Sequence, residues 1–278
     1  MGGIKPPLNM YVLAGEDGLI FDGGYGTRRD IRQAKAGVQA IQAELSRQGI
    51  DSRIIRILPS HTHPEHFSGL QRVRRALGVK VVLTDKMARR IVSGDVYRQA
   101  YAEPEKENGV YSHRVNAFRQ FLHQKMSRLF YRRIFGIAFM PDPDVIIEEE
   151  SILQVGGEVW DVIAGPGHCD DHVMLYNRER GILLAGDNVL RSITTWLGPP
   201  RSDLEDYFHT LERIRDLPGL KRILTAHGSP IENPVERVNE IIHYRQLRTD
   251  EIEGIIRDGG PGGVSYHHVL DTDRKSVV

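Results

Sequence analysis

His61-Thr62-His63-Pro64-Glu65-His66 puts three imidazoles and a carboxylate into six residues, directly after the apolar run Ile54-Ile55-Arg56-Ile57-Leu58. Imidazole and carboxylate are the usual ligands of zinc and other first-row metals. On an extended segment, residues two apart leave the backbone on the same side, so His61 and His63 can face one ion. Three further segments set a potential ligand just after a strand-like run: Gly165-Pro166-Gly167-His168, Leu184-Ala185-Gly186-Asp187 and Leu224-Thr225-Ala226-His227-Gly228. Glycine lets the chain turn sharply while the strand before it fixes direction, which holds a donor rigidly. Taken singly, each has an ordinary explanation: His168 or His227 as a hydrogen-bonded loop residue, Asp187 as a turn former, the hexapeptide as a polar strand-to-helix turn. Four such segments in one chain point to a metal site.

The ordered set resembles the metallo-β-lactamase superfamily, whose pattern is His-x-His-x-Asp-His followed by separate His, Asp and His ligands. The likeness runs from Met10 to about Ile256, apart from residues 86–140. Within it, Gly228 to Arg245, with Asn233-Pro234 and His243-Tyr244-Arg245, is similar to the small-hydrolase, lactamase-beta-like branch. The resemblance implies an α/β fold: a four-layer αββα sandwich, two mixed sheets face to face with helices outside and a site at one edge. It implies His61, His63 and His168 as ligands of a first metal, and Glu65, His66 and His227 as ligands of a second. Asp187 would bridge them, and Glu65 and Asp187 are the candidate catalytic carboxylates. Two divalent ions are implied, zinc first, with iron or manganese accepted by the same ligand types.

One departure stands out. Glu65 occupies the position where the family carries aspartate, and its extra methylene moves the carboxylate about one C–C bond outward in a shell with metal–oxygen distances near roughly 2.0–2.2 Å. The expectation is uneven occupancy, one site tight and the other weak. Asp22, in a stretch similar to the family's Asp-Thr-Gly turn, is read as a carboxylate orienting a ligand histidine. Cys169 follows His168, and adjacent side chains at a strand end diverge, so it is read as a non-ligand; His172 is read as structural. His113, His123, His209, His267 and His268 have no ligand spacing.

The elements that must position these groups are legible as alternating apolar runs and turns. Met10 to Leu13 and Leu19 to Phe21 read as strands around Gly15-Glu16-Asp17-Gly18, residues 30–48 as a helix, and 54–58 as the strand leading into the histidine loop. Phe67, Leu70, Val73 and Leu77 recur at helical spacing before a strand at Val79 to Leu83. Strands are expected at Val145 to Ile147, Ile152-Leu153, Val159 to Ala164, Val173 to Tyr176, Ile182 to Ala185 and Ile223-Leu224, and helices at Asp203 to Leu217 and Val235 to Ile256. Between Lys86 and Met140 lie eleven Lys or Arg against four Asp or Glu, with nine of the chain's 20 aromatic residues. This stretch is read as helices inserted between the two halves of the sheet scaffold, within one domain spanning 1–278, and as a candidate active-site lid.

Composition narrows the function. The 278 residues carry 37 basic and 37 acidic side chains, so no global field recruits nucleic acid or an anionic membrane. The single cysteine excludes an intrachain disulfide and suits a reducing compartment. Met1 to Leu8 lacks an apolar export signal, and no membrane-length apolar stretch occurs, so a cytoplasmic protein without membrane partners is expected. The leading expectation is an enzyme, a metal-dependent hydrolase of a small ester, thioester or lactone through a metal-activated water. Its small-molecule substrate is expected to be an acyl or aryl compound bearing negative charge, met by arginines such as Arg89, Arg90, Arg114 or Arg119. The alternatives are a nucleic-acid phosphodiesterase, with the basic insertion as its surface, and an iron-dependent oxidoreductase of the same fold. Oligomeric state is left open.

Overall fold

The computed structural model describes residues 5–102, 133–198, 200–260, 263–265 and 269. Ten strands form two five-stranded sheets. The first holds β1 (Tyr11–Leu13), β2 (Gly18–Phe21), β3 (Ile54–Leu58), β4 (Lys80–Thr84) and β5 (Val145–Ile147) in that order, antiparallel between β1 and β2 and parallel thereafter. The second holds β10 (Arg222–Thr225), β9 (Ile182–Gly186), β8 (Val173–Asn177), β7 (Glu158–Ala164) and β6 (Ser151–Val155). Only β9 and β10 are parallel in it. The expected strands are therefore present, each with ends within a few residues of the sequence reading.

Side-chain alternation explains how the layers stack, because successive strand residues face opposite sides of a sheet. Leu175 of β8 and Leu184 of β9 join Leu19, Phe21, Leu58 and Val82 of the first sheet in one core between the sheets. Their neighbours Met174, Tyr176, Leu183 and Ala185 point the other way and form a second core. There they meet Tyr207, Leu211 and Ile214 of α6 (Leu204–Arg215) and Val238, Ile241 and Ile242 of α7 (Pro234–Asp258). On the opposite face, α1 (Arg28–Arg47) and α3 (Leu70–Leu77) bury Val38, Leu70 and Val73 against the first sheet. The result is the αββα sandwich. Helix starts are set by side-chain caps: Thr27 accepts from the Asp30 amide and Asp203 from the Asp206 amide, each contributing about 1 kcal/mol.

The insertion differs from its expectation in one respect. Its first described helices, α4 (Asp85–Arg90) and α5 (Gly94–Ala100), leave from the end of β4, and β5 returns to pair with β4. It therefore interrupts the first sheet and does not separate the first sheet from the second. Residues 103–132, including Tyr111, Arg114, Phe118, Arg119, Phe121, Phe130 and Tyr131, lie outside the described residues. Among the described residues, no helix is long and apolar enough to cross a membrane.

Candidate metal centre

All the predicted ligands sit beyond strand ends at one edge of the sandwich. His61 and His63 follow β3, and α2 (Pro64–Phe67) then carries Glu65 and His66, with Pro64 at the start of the helix where its missing N–H is not needed. His168 follows β7, Asp187 follows β9 and His227 follows β10. The glycines beside them are sterically required: at Gly167 (φ +120°) a Cβ would lie 2.3 Å from Tyr207 Cα, and at Gly186 (φ +52°) 2.5 Å from His172 Nε2.

The donors fall into two groups. Each has ligand atoms within 4.8 Å of one another: His61, His63 and His168 in one, and Glu65, His66, Asp187 and His227 in the other. In the first, His63 Nδ1 stands 2.9 Å from His61 Nε2 and 3.0 Å from His168 Nε2. The far nitrogens fix the tautomers. His168 Nδ1 donates to the Trp196 carbonyl at 2.7 Å, and His61 Nδ1 faces Ser60 Oγ at 3.0 Å. Ser60 gives its own proton to Asp22 Oδ1 at 2.8 Å, so it accepts from His61. The Nε2 atoms of His61 and His168 are thus lone pairs aimed at one point. Burial holds His61 well below the usual imidazole range, and burial with neighbouring histidine charge puts His63 and His168 at about 4, so these rings are neutral, the form that binds metal.

The second group has the opposite electrostatics. His66 Nδ1 donates to Asp22 Oδ1 at 3.0 Å, which leaves Nε2, 3.6 Å from Asp187 Oδ2, as the atom that takes up a proton or a cation. His227 Nδ1 donates to the Pro7 carbonyl at 2.6 Å, which leaves its Nε2 lone pair 3.5 Å from Asp187 Oδ1. An imidazole nitrogen facing a carboxylate oxygen calls for positive charge between them, supplied by a proton on the ring or by a bound cation. His66 Nε2 and Asp187 Oδ1 are both buried and lack a hydrogen-bond partner. Burial would lower His66 and raise Asp187, yet the charges of Asp22 and Asp187 win at His66 and that of His66 wins at Asp187, so the group demands positive charge. A divalent cation fits this donor set. Asp187 also reaches the first group, with Oδ2 3.7 Å from His168 Nε2.

A family model of the metallo-beta-lactamase superfamily matches residues 6–227. The chain belongs to that superfamily. It is 38% identical over 106 residues to a beta-lactamase-like protein 2 homolog of Caenorhabditis elegans, covering 38% of this chain and 34% of that protein. It is 30% identical over 115 residues to an atrochrysone carboxyl ACP thioesterase of Aspergillus fumigatus, covering 41% and 35%. With the human acyl-coenzyme A thioesterase MBLAC2 it shares 30% identity over 89 residues, 31% of each chain. The matched segments span about a third of these relatives. Among solved structures, a metallo-beta-lactamase family protein from Thermus thermophilus superposes with a TM-score of 0.64 at 23% identity, covering 91% of this chain and 81% of that one.

Within this metallo-β-lactamase edge the structure also places the residues around the ligands. Asp22, at φ 74°, holds His66 and receives the Ser60 backbone N–H at 2.8 Å. A non-glycine residue in that region is uncommon and marks a constrained position. His172 lies beneath the site, where its Nε2 accepts the Asp187 amide at 3.2 Å. Ser60, and the carbonyls of Trp196 and Pro7, are functional groups that sequence reasoning missed. Ser60 carries only the signal of preceding the motif, and the two carbonyls carry none. Cys169 turns away from the histidines toward Asp171 Oδ1, 2.9 Å distant, and burial with that neighbouring charge pushes its thiol up. His209 is exposed on α6, while His113, His123, His267 and His268 lie outside the described residues.

Of the arginines expected to meet an anionic substrate, the two among the described residues, Arg89 and Arg90, do not stand free. Arg90 is buried and pairs with Asp170 at 2.7 Å and Asp171 at 2.8 Å, and exposed Arg89 pairs with Asp85 on its own helix. The insertion's aromatics are nearer the donors. Tyr97 OH donates to the Thr62 carbonyl at 3.0 Å, and the Tyr101 ring lies 6.0 Å from that of His63.

Proposed function

We propose that this chain is a metal-dependent hydrolase that cleaves thioesters with an apolar acyl part. The observation that carries the reading is the convergence of imidazole lone pairs and Asp187 oxygens on a cation-demanding edge, beside an exposed aromatic ring. His61, His63 and His168 would hold one divalent ion, Glu65, His66 and His227 a second, and Asp187 would touch both. Zinc suits the nitrogen and carboxylate donors. When bound, such a pair lowers the pKa of a shared water and polarises the substrate carbonyl.

The chain's own residues supply the rest. Asp187, facing both donor groups, takes the proton of the attacking water and passes it to the leaving sulfur. The carbon–oxygen bond forms as the carbon–sulfur bond breaks, giving a carboxylic acid and a thiol. Trp196 is 63% exposed with its ring 6.4 Å from that of His63, and Ile193 on the same loop is equally exposed. Trp196 and Tyr101 form an apolar wall beside His63, suited to an acyl chain. The names of two relatives as thioesterases support the same class. Arg89, Arg90 and Arg98 are each paired within the chain, so these three favour neither an anionic substrate nor a phosphodiester backbone. The free, buried Cys169 suits a reducing cytoplasm.

The test combines metal analysis, on protein purified without added metal, with a panel of acyl thioesters of increasing chain length, esters, lactones and phosphodiesters. The expected result is about two metal equivalents and at least a tenfold preference in kcat/KM for thioesters. Trp196→Ala should raise KM about tenfold for a long acyl chain and little for acetyl, since burying several methylenes is worth about 0.8 kcal/mol each. A preference for phosphodiesters, or oxygen consumption by an iron-loaded protein, overturns the reading.

A further inference from the structure

The histidines of the centre take their orienting partners from different sources. Asp22 at the end of β2 serves His66, and Ser60 beside it serves His61. The Trp196 carbonyl serves His168 from a loop pinned by Arg237, which donates to the Leu190 and Ile193 carbonyls at 2.9 and 3.0 Å. His227 is held from outside the sheets. Its Nδ1 donates to the carbonyl of Pro7, ahead of β1 in a segment with no regular structure.

That segment is tied down on both sides. Lys5 Nζ pairs with Asp30 at 2.6 Å and sits 4.2 Å above the Tyr25 ring, and Tyr25 OH donates to the Pro6 carbonyl at 2.9 Å. At the other end the Asn9 amide donates to the Ala226 carbonyl at 2.8 Å. Asn9 Nδ2 donates to the carbonyls of Thr225 at 3.0 Å and Gly228 at 2.7 Å, one on each side of His227. Pro6-Pro7 offers two carbonyl acceptors and no N–H, with φ already fixed, so little conformational freedom is lost when the segment seats.

We infer that Lys5–Asn9 is a strap that positions the second half of the metal centre. By accepting the His227 Nδ1 proton it selects the tautomer whose Nε2 faces Asp187, and Asn9 and Tyr25 are positioning residues that seat it. The inference rests on the proposed role of His227 as a ligand. Outer partners of this kind are worth about 10–100-fold in metal affinity.

The full chain, loaded with zinc, is challenged with graded chelator, and each retained equivalent is counted. A parallel cobalt(II) reload reads coordination by visible absorption. Asn9→Ala and Tyr25→Phe should each release the second equivalent at about tenfold lower chelator strength, leave the first within twofold of wild type, and alter the cobalt bands of the second equivalent alone. Tyr25→Phe keeps the ring over which Lys5 sits, so it tests the strap even if Asn9→Ala fails to fold. If both variants lower the melting temperature but keep the second equivalent at wild-type affinity, while His227→Ala loses it, the strap is packing and the inference is wrong. If His227→Ala also keeps it, the ligand assignment fails first and takes the inference with it.

Discussion

Two polar clusters lie side by side at this edge, built from similar residue types. One gathers His61, His63 and His168 with Glu65, His66, Asp187 and His227; the other gathers Cys169, Asp170 and Asp171, whose potential ligand atoms also lie within 4.8 Å of one another. They differ in what closes them. The acidic cluster is neutralised from within the chain: Arg90 bonds both carboxylates, Arg201 reaches Asp170 at 3.1 Å, and Thr62 Oγ1 donates to Asp171. Among the described residues the histidine cluster is paired with no arginine or lysine, and His66 Nε2 and Asp187 Oδ1 are buried without hydrogen-bond partners. Buried charge is tolerated when paired, so the acidic cluster is finished by arginine, while the histidine cluster fits a metal. Residue type alone does not separate them.

The largest test of this contrast removes donors from each cluster in turn. His61→Ala with His63→Ala takes away two of three converging nitrogens, and apparent zinc affinities of about 10–16 kcal/mol for complete structural sites show how much binding depends on the full set. The double variant should bind at most one equivalent per chain by metal analysis, with hydrolysis lost. Cys169→Ala should keep full metal content, because its thiol stays protonated near neutral pH and faces Asp171. Equal losses from the two variants would erase the distinction.

Next in size is the arginine that closes the acidic cluster. Arg90 is only 8% exposed, so Arg90→Met strands the fully buried Asp171 beside a buried thiol, while Asp170 keeps Arg201. Removing one partner of a buried pair costs about 3–5 kcal/mol, which urea unfolding should register. Adding Asp171→Asn should recover part of that loss, since the stranded charge goes with it. If Arg90→Met instead leaves stability unchanged and raises KM for an anionic thioester, Arg90 is a substrate residue, as the charge of the insertion first suggested.

Arg90 shows where sequence stops. The strands were legible because runs such as Ile54 to Leu58 and Ile182 to Ala185 are apolar at strand length, and the candidate ligands because each group follows such a run within a few residues. The helices of α6 and α7 were legible from Tyr207, Leu211, Ile214, Val238 and Ile241 at helical spacing. Pairing across long separations was not. Arg90 and Asp170 are 80 residues apart, and composition counts the one without the other. Nor does a backbone carbonyl have a residue type, so nothing at Trp196 or Pro7 announces that it fixes a histidine 28 or 220 residues away.

The smallest expected effect lies inside the open cluster and concerns its one departure from the family pattern. Glu65 belongs to the second donor group with His66, Asp187 and His227, so its longer side chain still brings a carboxylate oxygen within reach of the same point. It does so from α2, a helix of four residues with His63 at its N-cap, and the shared helix sets the spacing of Glu65 to His66. Glu65→Asp withdraws the carboxylate by about one C–C bond while keeping its charge. The electrostatic demand created by Asp187 is then unchanged, and only the fit of one oxygen alters. A change of about tenfold in affinity for the second equivalent, roughly 1.4 kcal/mol, is expected in chelator competition, with the first equivalent untouched. Tighter binding in the variant would mean that glutamate loosens the second ion and makes occupancy uneven. Weaker binding would mean that the α2 backbone has settled where glutamate, and not aspartate, reaches the ion. Identical affinities would show that the group is held by charge alone, and the contrast between the two clusters would then rest on Asp187 and the histidines without Glu65.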